Sequence, residues 1–287
     1  MRPTVQTYFD HATNTVTHLV SDSGTRSAAI IDPVLDFDPA SGRLGTESAD
    51  AILRDVAAQG LHLRYVLETH AHADHLTAAD HIRQMTGTPI VIGAQITEVQ
   101  KAFIPLFEAD DVQADGAVFN ILMEEGDTLP LGDLEIGVLH TPGHTPACIT
   151  YVIGDAAFVG DTLFMPDYGT ARADFPGGDA ATLYRSIRKL LALPADTRIF
   201  VGHDYLPQDR TDFRWETTVG EERAGNVHVH DGVTEAEFVA MRAARDATLG
   251  APRLLLPSLQ VNIRAGALPP ATPDGHIFLR LPVKQQV

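Results

Sequence analysis

The stretch Thr69-His70-Ala71-His72-Ala73-Asp74-His75 puts four side chains of metal-ligating type within six positions. Neutral imidazole and carboxylate suit zinc, manganese and ferrous iron. The apolar run Leu63 to Leu67 ahead of it predicts a strand, and Leu76 to Met85 behind it, ended by Gly87, predicts a helix. The histidines therefore fall on a strand-to-helix loop. Three more residues of the same type follow predicted strands: His144 in Thr141-Pro142-Gly143-His144, Asp161 after Val159-Gly160, and His203 after Val201-Gly202. A glycine beside each of the three lets backbone pack close to a metal. Seven ligand-type side chains are thus expected at one edge of the sheets.

Working outward, Val5 to Asp10, Thr15 to Ser21 and Ala28 to Ile31 read as hairpin-connected strands with Asn14 and Gly24 as turn formers. Ala49, Ile52, Leu53, Val56 and Ala57 recur at helical spacing from Thr46 until Gly60. Pro89 to Gly93 predicts a strand, Gln95 to Phe103 a helix, and Glu108 to Gly116 an acidic irregular segment. The second half repeats the order: strands at Leu129 to Leu139, Ile149 to Ile153, Ala156 to Val159 and Arg198 to Val201, with a helix at Thr182 to Leu191. Two such runs predict an α/β fold, a four-layer αβ/βα sandwich with two sheets face to face. After Tyr205 the chain turns polar, forms one helix (Thr234 to Ala247) and ends in a Pro-rich tail from Pro252. With no linker in sight, residues 1–287 are expected to form one domain with a C-terminal extension from about residue 206.

Composition narrows the function classes. Thirty-eight Asp plus Glu against 21 Lys plus Arg give a net charge of -17, which repels phosphate backbones and anionic lipid and argues against nucleic acid or membrane as partner. No apolar run approaches the roughly 20 residues that cross a bilayer. The single cysteine, Cys148, cannot form an internal disulfide, and residues 1–5 lack an apolar signal core, so a reducing, cytoplasmic location is expected.

The order and spacing of the seven residues resemble the metallo-β-lactamase superfamily, whose defining motif matches residues 70–75 and which implies the αββα sandwich. Within it, Thr69 to Thr77, Thr141 to Thr145, Gly160-Asp161-Thr162-Leu163, Arg172-Ala173-Asp174-Phe175 and Gly202-His203-Asp204-Tyr205 resemble the persulfide dioxygenases. That resemblance implies one Fe(II) per chain and the conversion of glutathione persulfide, or another small persulfide, and O2 to sulfite and the thiol. It implies His70, His144 and Asp161 as iron ligands, a facial triad with open positions. His72, Asp74, His75 and His203 match residues that hold a second metal in dinuclear relatives and would here orient the ligands. Asp74 and His75 are expected at the start of a helix, where the dipole favours a carboxylate. The competing reading is a zinc-dependent thiolester hydrolase of glyoxalase II type. In it His70, His72 and His144 hold one metal, Asp74, His75 and His203 the other, and Asp161 bridges. Ala78 departs from the Gly of mammalian-type relatives, but the Gly-Gly pair typical of glyoxalase II is absent, and the sequence around the ligands favours the dioxygenase.

Four further residues are candidates for the substrate side. Arg172 and Asp174 match a pair near the iron, or form an ordinary ion pair, and Tyr205 places a hydroxyl toward the open site or is a structural tyrosine. Cys148, four residues beyond His144, handles sulfur or is a small buried hydrophobe. For a tripeptide carboxylate, Arg172, Arg214, Arg223 and Arg264 are the candidate partners. Asp36 to Glu47 and Ala102 to Val118 read as insertions that decorate the surface, cover the site or make a subunit contact, and a homodimer is expected from the family likeness. His11, His18, His62, His81, His140, His228, His230 and His276 read as surface or core residues.

Overall fold

In the computed structural model, which describes residues 2–283, two six-stranded sheets are built in chain order. The first half lays down β1 (Thr4–Asp10), β2 (Thr15–Ser21), β3 (Ser27–Ile31), β4 (Val34–Asp38), β5 (Arg43–Gly45), α1 (Glu47–Ala58), β6 (His62–Leu67), β7 (Leu76–Thr77), α2 (Ala79–Thr86), β8 (Ile90–Gly93), α3 (Ile96–Phe107) and β9 (Ile121–Met123). The second half adds β10 (Thr128–Leu131), β11 (Leu134–His140), β12 (Ile149–Ile153), β13 (Ala156–Phe158), α4 (Ala180–Leu190), β14 (Arg198–Phe200), β15 (Glu216–Thr218), α5 (Val219–Gly225), α6 (Glu235–Asp246) and α7 (Leu255–Asn262). One sheet runs β1-β2-β3-β6-β8-β9 and the other β10-β11-β12-β13-β14-β15.

The strands are apolar on both faces because both faces are covered, and successive residues feed different layers. In β3, Ala28 and Ile30 pack under α1, α2, α3 and α7, while Ala29 and Ile31 enter the core between the sheets. In β13, Ala156 and Phe158 join that central core, and Ala157 turns outward to Leu183, Ile187 and Leu190 of α4 and Phe238 of α6. The result is the αβ/βα sandwich expected from the sequence.

The two sheets are tied where the ligand loops emerge. Val16 N donates to Gly202 O at 2.8 Å, and Thr15 forms a bridge with His203. The loops after β6, β11, β13 and β14 all open onto this edge.

Several local expectations change. His75 does not lead into a helix: Leu76 and Thr77 pair with Leu35 and Val34 as β7, and α2 starts at Ala79. The helix dipole therefore does not hold Asp74. Asp36 to Glu47 is not a loose insertion, since β4 and β5 form a hairpin that continues into β7 and α1. In the other long segment, α3 runs through Pro105 to Phe107 before the loop begins. The tail after Pro252 contains α7, whose Leu259, Val261 and Asn262 are buried, and α5 and β15 also lie beyond Tyr205.

Candidate metal centre

β6 delivers Glu68 to His75 to the sheet edge, and Asp32, at the end of β3, sets the loop's path. Thr69 N and Thr69 Oγ1 both donate to the Asp32 carboxylate at 2.8 Å. Gly160 has φ +50, and a Cβ there would lie 2.4 Å from Thr69 Oγ1, so the Asp161 loop approaches the histidine loop closely only because residue 160 is glycine.

Each of the five histidines is fixed through one ring nitrogen and offers the other. Because Thr69 Oγ1 gives its proton to Asp32, His70 Nδ1 donates to that oxygen at 3.0 Å. His144 Nδ1 donates to Arg172 O at 2.8 Å, and His203 Nδ1 to Asn14 O at 3.1 Å. His72 uses Nε2, which lies 3.1 Å from Asp32 and 3.3 Å from Glu68. His75 Nδ1 faces Thr15 Oγ1 at 3.3 Å and Asp74 at 3.5 Å. The nitrogens left over point inward, where a metal would take them as ligands. His70 Nε2, His72 Nδ1, His75 Nε2 and His203 Nε2 are buried without a hydrogen-bond partner, as are Asp74 Oδ2 and Asp161 Oδ1. Buried orphaned donors and acceptors are rare in proteins, and so many in one place fit a bound cation.

The atoms fall into two sets. His70, His144 and Asp161 converge within 4.8 Å of one another, and so do His72, Asp74, His75 and His203. Asp161 stands between them: Oδ2 is 4.0 Å from His70 Nε2 and 3.6 Å from His144 Nε2, while Oδ1 is 3.3 Å from His203 Nε2. Burial and the neighbouring His72 and His144 push His70 well below the usual histidine range, keeping it neutral and able to ligate. Burial also opposes charge on His72, yet Asp32 and Glu68 outweigh it and raise that residue. At Asp74 burial is overcome by His203 and His75, which hold the carboxyl well below its normal value. Asp32 and Glu68 escaped the sequence reading, which ends the strands before them at Ile31 and Leu67.

Beside the centre lies a cavity of about 330 Å³ walled by Asp74, His144, Asp161, Phe164, Tyr168, Arg172 and Tyr205, among others. Tyr205 stacks on His203 with ring centres 5.5 Å apart. Its crowded surroundings and the carboxylates of Asp74 and Asp161 push its phenol well above the ordinary range, so it stays protonated. Arg172 is held by Asp174 at 2.5 and 2.7 Å and by Gly250 O at 2.7 Å. Cys148 is not on the cavity wall. It is 2% exposed, accepts from Thr145 N, and burial pushes its thiol up to about 12. Of the other arginines named from the sequence, Arg214 pairs with Asp212, Arg223 with Asp231 and Arg264 with Asp111, and none lines the cavity. The walls instead carry Arg242 and Arg245 of α6 and Arg253 of the segment that follows it.

Among the described residues no helix is long and apolar enough to cross a membrane. The family model of the metallo-beta-lactamase superfamily matches residues 13–203. A probable metallo-hydrolase of Burkholderia pseudomallei is 54% identical, over 98% of this chain and 99% of its own. Glyoxylase B2 of Dictyostelium discoideum is 44% identical over 92% of this chain and 91% of its own. The human mitochondrial persulfide dioxygenase ETHE1 is 32% identical over 69% of this chain and 66% of its own. The crystal structure of ETHE1 from Myxococcus xanthus superposes with a TM-score of 0.74 at 32% identity, covering 92% of this chain and all of that one.

Proposed function

This chain belongs to the metallo-β-lactamase superfamily, and from that premise we propose that it is a persulfide dioxygenase. It would hold one Fe(II) through His70, His144 and Asp161. The observation that carries the reading is the set of two imidazoles and one carboxylate converging at the cavity, with His144 and Asp161 on its wall. Two imidazoles and a carboxylate suit ferrous iron with coordination positions to spare. The likeness to the human persulfide dioxygenase and to the Myxococcus protein supports it.

The overall reaction balances as persulfide plus O2 plus water giving thiol plus sulfurous acid, which ionises to sulfite. The terminal sulfur loses four electrons and O2 takes them up. An iron held by His70, His144 and Asp161 would supply the redox chemistry of the reaction. The chain's own groups do the rest. Asp32 and Arg172 O fix the orientation of His72 and His144, so the donor atoms are set before substrate arrives. Tyr205, kept protonated, can donate a hydrogen bond to an anionic sulfur or oxygen in the cavity. Phe164, Tyr168 and Phe175 line the remaining wall with apolar surface that restricts water around the reactive sulfur.

A second reading rests on a specific observation: the other four donors are also complete and buried, and Asp161 reaches both sets. Two zincs bridged there would make a thiolester hydrolase, the activity suggested by the Dictyostelium relative's name. The experiment is metal analysis with an oxygen electrode. One iron per chain and O2 uptake proportional to glutathione persulfide support the dioxygenase. Two zincs, no O2 uptake and rapid hydrolysis of S-lactoylglutathione would replace it with the hydrolase.

A further inference from the structure

The metal donors all lie within residues 13–203, the span of the family model, but much of the cavity wall does not. Arg242, Arg245, Leu249, Gly250, Pro252 and Arg253 come from the end of α6 and the segment before α7. The superfamily core thus builds the centre, and the extension builds the approach to it.

Four guanidinium groups line that approach, and they are not equivalent. Arg172 is neutralised by Asp174. Arg242 is 1% exposed and bound to Asp246 at 2.7 Å and to Thr170 O at 3.0 Å, which makes it part of the wall. Arg245 and Arg253 are exposed, and neither has a carboxylate partner among the described residues. Arg245 lies over the Tyr168 ring, 5.9 Å from its centre, which limits its freedom before any ligand binds.

In a chain of net charge -17 an anion is repelled at long range, so an anionic substrate needs local positive potential at its point of entry. Arg172 and Arg242 on the cavity wall are cancelled by an adjacent acid, and Arg245 and Arg253 beside them are not. A planar guanidinium matches a carboxylate with two parallel hydrogen bonds. We propose that Arg245 and Arg253 recognise a carboxylate of the thiol that carries the reactive sulfur, and so select carboxylate-bearing carriers over uncharged ones. The inference rests on the persulfide reading for the reaction but concerns only the carrier.

The test compares the iron-loaded wild type with the R245Q/R253Q variant on glutathione persulfide and on the persulfide of 2-mercaptoethanol, which has no carboxylate. Both residues are exposed, so the fold should tolerate the change, and circular dichroism checks it. Loss of charge-assisted hydrogen bonds should lower the kcat/KM ratio of the two substrates at least tenfold or so, chiefly through KM for glutathione persulfide. The wild-type KM for that substrate should also rise with salt, and the variant's much less. A ratio within about twofold of wild type overturns the proposal. If wild type consumes no O2 with either persulfide, the dioxygenase reading fails by itself, and calorimetric titration with glutathione becomes the probe. Affinity roughly tenfold weaker in the variant then sustains the arginine assignment, and equal affinities overturn it.

Discussion

Asn262 lies in α7, far along the chain from the metal loop, yet its side chain is bonded to that loop at three points. Nδ2 donates to His72 O and His75 O at 2.8 Å each, and Oδ1 accepts from Thr77 N at 2.9 Å. The residue is 2% exposed. Asn262→Ala leaves two carbonyls and one amide unpaired in a buried loop. Each such group costs about 1–3 kcal/mol, which puts the ceiling near 9 kcal/mol. Groups in one loop relax together and the vacated space admits a water, so a loss of about 3–5 kcal/mol is expected. Against the 5–15 kcal/mol typical of folded domains, that is a large share. Urea unfolding of the metal-free protein should show a lower midpoint with an unchanged slope. Because both carbonyls belong to His72 and His75, competition with a chelator should also show metal held some 10 to 100-fold more weakly. Asn262→Asp should be worse than alanine, since a carboxylate would face both carbonyls. A loss below about 1 kcal/mol with unchanged metal affinity would refute the idea that α7 holds the ligand loop.

Asp74→Asn, measured under identical loading with excess metal, should leave about one iron per chain and lower turnover by some 10 to 100-fold; a fall from two metals to one would sink the single-iron reading. His18 is buried against Val201 O, and burial pushes it down from 6.5 to about 4. The unfolded chain therefore binds the extra proton between those values, and stability, full above pH 6.5, should fall with pH toward 4 by up to about 3 kcal/mol. Urea midpoints across that window check it, and the fall should shrink in His18→Phe. At Gly143, φ is +132 and a Cβ would sit 2.3 Å from the Leu183 backbone, so Gly143→Ala should cost about 2–4 kcal/mol in thermal or urea unfolding and loosen His144. Tyr205→Phe should keep its metal but lose kcat more than KM, and equal rates would remove the hydroxyl from the proposed chemistry.

What could be read from the sequence was the part written in local patterns. The His70 to His75 spacing, the glycines before Asp161 and His203, and the alternating apolar strands all carry their meaning within a few residues. The Leu76–Thr77 strand was hidden because its partner is Val34–Leu35, a pairing that no local pattern shows, and apolar residues ahead of α2 look like helix. α7 was hidden for another reason. It is buried nearly all round, with no polar stripe to mark a period, and Pro257 lies within its first turn. The basic residues were misjudged because pairing is a tertiary property: Arg264 reads as a free cation until Asp111 is seen beside it, and Arg245 reads as ordinary surface until the cavity is seen beneath.

The span from His75 to Asn262 has a consequence for the order of events at the ribosome. A chain is made from its N-terminus, and the histidine loop emerges long before the asparagine that bonds to its backbone. Until α7 has been made, the carbonyls of His72 and His75 have no such anchor, and the loop stays looser than in the finished protein. Secure metal loading is therefore an event that follows translation of almost all of these residues, and a nascent chain that stalls before Asn262 should exchange its metal freely.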